Sequence, residues 1–345
     1  NGAVYFAVNN TWQNSGNPTS GSSKTGAIGT DLLSVNNGHH YFAGQGFNAN
    51  DNYGLYVNFG QRAFTYTPPT GYEKLCSKNL PDPTVVNGTE YFNSVIYSGN
   101  GGTQSVSGVG FQPDWTWVKS RSGSYSSSHY LVDDVRSTSY PFKRLNSNSS
   151  GAEGGTTDRF MSFDSDGFTV KMTGGGGGFT NGSSQSYVAW NWKEDTTAGF
   201  DIVLHNVNQT STDFTISHGL GVTPDAIFAK NRDSSHSWRV FHRSVGTGST
   251  LFLDTTDSSS GNSNRINAVT SSNFTIRTNI AGNFVFYVFA EVDGFSKFGQ
   301  YYGNGNSSNG AFVYLGFKPA VVIIKKHTGS DNWELHDNAR DLVNP

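Results

Sequence analysis

Gly110-Phe111-Gln112-Pro113-Asp114-Trp115-Thr116-Trp117-Val118-Lys119 is a stretch the chain writes three times. It returns as Gly221-Val222-Thr223-Pro224-Asp225-Ala226-Ile227-Phe228-Ala229-Lys230 and as Gly316-Phe317-Lys318-Pro319-Ala320-Val321-Val322-Ile323-Ile324-Lys325. Each copy has Gly, two residues, Pro, five residues and Lys, with an apolar, β-favouring run between Pro and Lys. Proline cannot donate to a ladder, so it suits the approach to a strand, and the run then leaves through a charged exit. Three copies of one strand entry make this a repeat protein.

Other anchors recur in the same order. Strand candidates in the first repeat are 91–97, 105–109, 115–119, 130–132, 160–163, 167–172 and 186–192. Ser165-Asp166-Gly167-Phe168-Thr169-Val170 answers to Ser271-Ser272-Asn273-Phe274-Thr275-Ile276, and Tyr187-Val188-Ala189-Trp190-Asn191-Trp192 to Val285-Phe286-Tyr287-Val288-Phe289-Ala290. Gly99-Asn100-Gly101 matches Gly303-Asn304-Gly305. The prolines stand 111 and 95 residues apart, which is domain length and beyond the period of solenoids. The spacing therefore predicts independent β-sandwiches over 90–197 and 198–293, and the start of a third over 294–345. A chain that does not begin with Met and stops inside a third repeat is expected to be a window on a longer polypeptide.

Composition agrees with an all-β reading. Hydrophobic residues are only 34% of the 345 and charged ones 14%, yet aromatics also reach 14%, more than a disordered chain carries. Aromatic and Thr-rich runs separated by Gly, Asn and Ser suit strands joined by tight turns. A net charge of −3 gives no polyelectrolyte attraction, which argues against nucleic acid as a partner. No apolar run approaches the roughly 20 residues of a spanning helix, so membrane insertion by helices is not expected. The lone Cys76 excludes an internal disulfide framework and reads as a small buried residue.

Candidate chemistry is sparse. Asp164-Ser165-Asp166-Gly167 could open a calcium loop, but Ser271-Ser272-Asn273 replaces it in the second repeat, and an Asp-Gly turn is the better reading. Asp133 and Asp134 are adjacent, so on a strand they point apart and cannot face each other as acid and base. Asp133 with Arg136 reads instead as a bracing pair, repeated as Asp337 with Arg340. The second repeat departs, with Phe241-His242-Arg243. His39-His40, His236, His242, His327 and His336 lack the spacing of a helical zinc site. Gly174 to Gly178 has no Lys-Ser/Thr after it and reads as a hairpin tip rather than a phosphate cradle. Trp115, Trp117, Trp190 and Trp192 could stack on sugar rings, but core packing is the favoured reading, since the second repeat puts Ala226, Phe228, Val288 and Ala290 there. The repeat anchors are Pro113, Lys119, Pro224, Lys230, Pro319, Lys325, Asp133, Arg136, Asp337 and Arg340. No metal and no cofactor is expected.

The N-terminal part reads differently. Val4-Tyr5-Phe6-Ala7-Val8 alternates like a strand and meets Asn9-Asn10, a turn pair. Further on, Tyr53 to Phe64 contains Asn58-Phe59-Gly60-Gln61-Arg62-Ala63-Phe64. This resembles the closing strands of the SPRY (B30.2) β-sandwich family, which commonly ends in Asn-Phe-Gly-Gln-x-x-Phe. The resemblance implies that 1–66 is the C-terminal part of such a sandwich, a scaffold that binds other proteins through loops at one end. Thr67-Pro68-Pro69-Thr70 then opens a stiff linker over 67–89.

The tandem itself resembles an uncharacterised repeat that follows SPRY domains in large structural proteins of tailed phages. The shared features are Tyr-x-Gly-Asn-Gly, Gly-Phe-x-Pro with its apolar run and Lys, Asp-x-x-Arg, Asp-x-Asp-Gly-Phe and Tyr-Val-Ala-Trp-x-Trp. What the resemblance implies is a setting: a non-enzymatic virion structural or adhesion protein of a tail fibre or similar appendage. Its expected partners are other virion proteins, a second copy of itself as a homo-oligomer, and a host-surface glycan or protein receptor. The alternative is a bacterial surface or secreted carbohydrate-binding protein. The fold expectation is all-β, a partial SPRY-like β-sandwich followed by tandem β-sandwich repeats.

Overall fold

The computed structural model describes residues 3–30, 58, 62–73, 83–122, 128–155, 159–172, 179–209, 212–261 and 264–340. They fall into two compact units, Asn1–Asp82 and Pro83–Pro345. The fold is nearly all β, built from antiparallel sheets of sandwich type.

In the first unit, β1 (Ala7–Val8) and β2 (Thr11–Trp12) form a hairpin. Asn9 and Asn10 supply its turn with φ of 49° and 64°, the left-handed pair that a two-residue hairpin needs and that Asn tolerates. Tyr5 packs edge-on against Trp12, and Val4 bridges Gly29. The strand expected over 4–8 thus forms only over Ala7–Val8, with Val4 in an isolated bridge. Of the SPRY-like motif only Asn58 and Arg62 to Phe64 are described, with the Asn58 side-chain Oδ1 accepting the Arg62 N–H. The rest of that motif, His39-His40, Cys76 and the Gly174 to Gly178 run lie outside the described residues.

In the second unit the first repeat contributes β3 (Phe92–Ser98), β4 (Thr103–Ser107), β5 (Trp115–Ser120), β6 (Tyr130–Asp133), β7 (Lys143–Leu145), β8 (Gly154–Gly155), β9 (Phe160–Asp164), β10 (Gly167–Lys171) and β11 (Ser186–Trp192). The second contributes β12 (Phe200–Val207), β13 (Thr212–Ser217), β14 (Ala226–Asn231), β15 (Arg239–His242), β16 (Arg265–Val269), β17 (Asn273–Thr278) and β18 (Gly282–Phe289). The third contributes β19 (Val321–Lys325) and β20 (Trp333–Asp337). The larger sheets run β3-β11-β5-β6-β7-β8 and β12-β18-β14-β15, and the smaller ones β4-β10-β9 and β13-β17-β16. Element for element the order is the same, with β7 and β8 added in the first repeat. Register is kept too: Trp192 lies opposite Trp115 as Phe289 lies opposite Ala226.

The quoted motif has a local reason. Gly110, Gly221 and Gly316 all have positive φ, at 91°, 70° and 86°, so each turn into the strand takes a conformation that other residues resist. Two residues after each Pro a strand begins.

The independent sandwiches expected from the spacing are not what forms. Along β5 and β11, Val118, Tyr187 and Ala189 enter the core between the first repeat's own sheets, with Phe160, Phe168 and Val170. The alternate residues Trp115, Trp117, Val188 and Trp190 point the other way, into a second core that contains Phe200, Phe228, Trp238, Val285 and Tyr287 of the second repeat. Val321, Trp333 and Leu335 of the third repeat pack on that same core. Phe284, Phe286 and Val288 of β18 fill the second repeat's own interior. The larger sheets are therefore buried on both faces, which is why their central strands read as continuous apolar runs instead of alternating. The repeats are joined through a shared aromatic core.

Candidate functional site

The four buried charged side chains among the described residues, Asp133, Arg136, Lys230 and Asp337, lie at the joints between repeats, and all four are repeat anchors. Asp133 ends β6 and is fully buried. Its carboxylate accepts the Arg136 N–H at 2.8 Å and pairs with the Arg136 guanidinium. That guanidinium also donates to Glu153 at 3.0 Å and to the Leu131 carbonyl. The Tyr287 hydroxyl, 154 residues away in the second repeat, donates to Asp133 at 2.6 Å. Glu153 accepts two further bonds from Arg232 of the second repeat. Burial by itself would strip a proton from Arg136, but the Asp133 charge and, behind it, Tyr287 and Glu153 hold its affinity above the ordinary value. The bracing pair expected from sequence is thus also a bond between repeats.

Asp337 and Arg340 repeat this geometry. Asp337 accepts the Arg340 N–H at 2.8 Å and its guanidinium Nε, and the guanidinium reaches the Leu335 carbonyl. The cross-repeat donor is now Trp190 of the first repeat, whose indole N–H meets Asp337 at 3.0 Å while Arg340 lies over its ring. The second repeat bonds to the first through Tyr287, and the first bonds to the third through Trp190. Because Tyr287 and Trp190 hold matching places in β18 and β11, one residue off the match to Val288 expected from sequence, the connections run in the sense of a three-membered ring. His242 holds the third such place, opposite Ala226 as Asp133 is opposite Trp115. Its Nδ1 accepts the Ser244 N–H, and its ring lies by Phe298.

The lysines of the motif do similar work. Lys230 is wholly buried and its ammonium donates to the Ser150 carbonyl of the first repeat, while Lys325 donates to the Thr256 carbonyl of the second. Burial lowers the Lys230 affinity for its proton to about 8. Trp238 donates to the Asn146 carbonyl and Trp333 to the Phe252 carbonyl, again one repeat to the one before. Lys119 in the first repeat is half-buried, with burial lowering its pKa.

Trp115 is the hub of the aromatic part. Its ring stacks on Tyr287 at 4.4 Å and on Phe200 at 5.7 Å, and meets Trp192 at 4.4 Å. Trp115, Trp117 and Trp190 are 1 to 3% exposed and Trp192 is half-buried, so the sugar-stacking alternative has no open face on the first three. Core packing is where the structure places them. Trp117 donates to His129 Nδ1 at 2.7 Å, and burial depresses the His129 pKa to about 4.

The remaining candidates resolve into structure. Asp166 accepts the N–H groups of Gly110 and Gly108, which hold its carboxyl below the usual range, and Asp164 accepts from Ser162 and Thr169. Both act as turn braces. A Cβ on Gly167, at φ 142°, would sit 2.0 Å from the Val106 carbonyl oxygen, so glycine is required there. Among the described residues no three His, Cys, Asp or Glu come together as a metal-binding group. His236, His327 and His336 do not converge on one site.

Sequence reading missed Tyr287, Glu153, Arg232, Trp238 and Trp333, all partners across the joint. One signal was present: Tyr187 to Trp190 is apolar at odd and even positions alike, which a strand with one wet face would not be.

A search of curated proteins and a search of solved structures each found no match to this chain. Residues 87–345 match the family model described as a domain of unknown function, DUF7483, and the chain belongs to that family.

Proposed function

We propose that this chain is a non-enzymatic structural or adhesion module of a virion, a stiff component of a tail fibre or similar appendage. The observation that supports this reading is the shared aromatic core with its buried Asp–Arg pairs at two joints. Independent domains on a string would bend at every linker, whereas repeats that bury apolar area and ionic partners between them move as one body. Such a body transmits position and load along an appendage. Its carboxylates at the joints are committed to pairing, which supports a mechanical role over turnover.

The setting rests on the resemblance of the repeat to phage structural repeats. A tagged copy, imaged by negative stain in intact particles, tests it. Label on an appendage supports the proposal. Label absent from particles, or turnover of a polysaccharide by the purified chain, contradicts it. A carbohydrate-binding reading would turn to exposed aromatics such as Tyr302, Phe312 and Tyr314, since Trp115, Trp117 and Trp190 are closed to a sugar.

A further inference from the structure

Four residues before the last residue of β6, β15 and β20 stand His129, Trp238 and Trp333. The two indoles donate to carbonyls of the preceding repeat and have no proton to gain. The first repeat puts an imidazole in that place, and its Nδ1 lies 2.7 Å from the Trp117 indole nitrogen. An indole N–H only donates, so Nδ1 must accept. This bond holds the ring neutral, with its proton on Nε2.

His129 also stands where the first repeat meets the third. Its ring lies 13° from parallel to the Trp190 ring at 6.5 Å, and edge-on to Trp117. The same Trp190 donates to Asp337 and carries Arg340 over its ring. Lys119 of β5 and Arg340 beyond β20 both oppose a positive charge on the imidazole. On the side of β7, Asn148 accepts the His129 backbone N–H, while Arg144 donates to Asn146 and lies over Tyr130. Asp337, the carboxylate at this joint, is committed to Arg340 and Trp190.

We propose that His129 makes the joint between the first and third repeats an acid-released latch. A proton on Nδ1 turns acceptor into donor and breaks the Trp117 bond. It also sets a third cation beside Lys119 and Arg340, which loosens β19 and β20 from Trp190. Burial, then Lys119 and Arg340, bring the His129 pKa down from 6.5 to about 4, so the folded chain resists a proton that the unfolded chain accepts. The stabilisation is complete above pH 6.5 and is lost as pH falls through 4. Asp134 and Glu194, raised by burial beyond the other end of β5, respond with the opposite sign, so the latch is read locally in the third repeat.

Amide exchange of the whole chain at about pH 7.5 and about pH 5, expressed as protection factors, tests it in Val321–Lys325 and Trp333–Asp337. Protection there should fall about tenfold at the lower pH. His129→Asn keeps an acceptor near the place of Nδ1 but does not titrate, and it should abolish the fall. Unchanged protection in the natural chain, or the same fall in His129→Asn, would overturn the proposal. A histidine NMR titration of the natural chain gives a second readout that needs no variant to fold. It should show His129 as the Nε2–H tautomer at neutral pH, titrating well below 6.5. An ordinary titration near 6.5, or a proton on Nδ1 at neutral pH, would overturn it equally.

Discussion

The first and second repeats place different charges at the same point of one backbone frame. In both, the Asp after the motif Pro accepts an N–H just past the closing strand at 2.6 Å, from Glu194 to Asp114 and from Glu291 to Asp225. In both, its carbonyl accepts the residue after β6 or β15, from Asp134 at 3.1 Å and from Arg243 at 2.8 Å. The side chains then diverge. Arg243 pairs with Asp225 and Glu291, and Lys297 pairs with Glu291, so the second repeat is balanced. The first repeat sets Asp134 against Asp114 with Glu194 close by, and among the described residues no donor reaches the buried Asp134 Oδ1. Two carboxylates can bond only if one holds a proton. The backbone bonds define the fold; the charges on them are free to set its response to pH.

The largest effects should separate the joints. Asp133→Ala leaves Arg136 buried without its closest partner and should cost about 3–5 kcal/mol, whereas His242→Ala at the matching place should cost about 1 kcal/mol or less. Trp115→Ala removes the aromatic hub and should cost about 3–5 kcal/mol, while Ala226 at that place in the second repeat has no comparable side chain to lose. Denaturant unfolding followed by tryptophan-independent far-UV dichroism measures both. Equal costs at Asp133 and His242 would break the comparison. Tyr287→Phe removes only the cross-repeat hydrogen bond to a charged group and should cost about 1.5–3 kcal/mol.

The pH response should have opposite signs in the two repeats. Burial, then the charges of Asp114 and Asp133, push the Asp134 carboxyl up to about 7. Burial, then the neighbouring Asp201, push Glu194 up to about 8, with Asp114 also raised by burial while Lys193 opposes and Asp195 adds. A carboxyl whose folded pKa lies above its unfolded value stabilises fully at acid pH and loses that contribution as pH rises through 7 to 8. Stability tied to the first repeat should therefore fall between about pH 4 and 8, and Asp134→Asn should flatten that fall. In the second repeat burial opposes, but Lys297, the Phe298 N–H and Arg243 hold Glu291 low, so its contribution is lost as pH drops. Melting curves across this range, read by exchange in β5 and β14, would contradict the contrast if Asp134→Asn left the slope unchanged. The smallest effect belongs to the exposed Arg277–Asp213 pair across β17 and β13, where solvent screens the charges and Arg277→Ala should leave the unfolding midpoint nearly unchanged.

Much of this was legible in the residues, and the missing part has a physical cause. The Gly-x-x-Pro motif marks its strand because a positive-φ turn and a missing donor are local requirements. The candidates at 91–97, 130–132 and 186–192 fall on β3, β6 and β11 for the same reason, since apolar β-formers end at turn residues. β7 and β8 were not foreseen, because Lys143–Leu145 and Gly154–Gly155 carry no periodic pattern and exist through pairing, β7 with β6 and β8 with β7. Asp133 with Arg136 could be read three residues apart. Tyr287 as their partner could not, since only tertiary packing brings it there. The Asp134 shift was hidden likewise, because adjacency to Asp133 drew notice while Asp114, twenty residues earlier, is the carboxyl it meets.

The central claim is that the repeats fold as one cooperative body on a shared core. Hydrogen exchange of the Asp133→Ala chain tests it most directly, read strand by strand against the unsubstituted chain. The account predicts that protection falls in β14 and β18 of the second repeat by about as much as in β5 and β11 of the first. Loss confined to the first repeat, with β14 and β18 unchanged, would contradict it and return the repeats to independent domains.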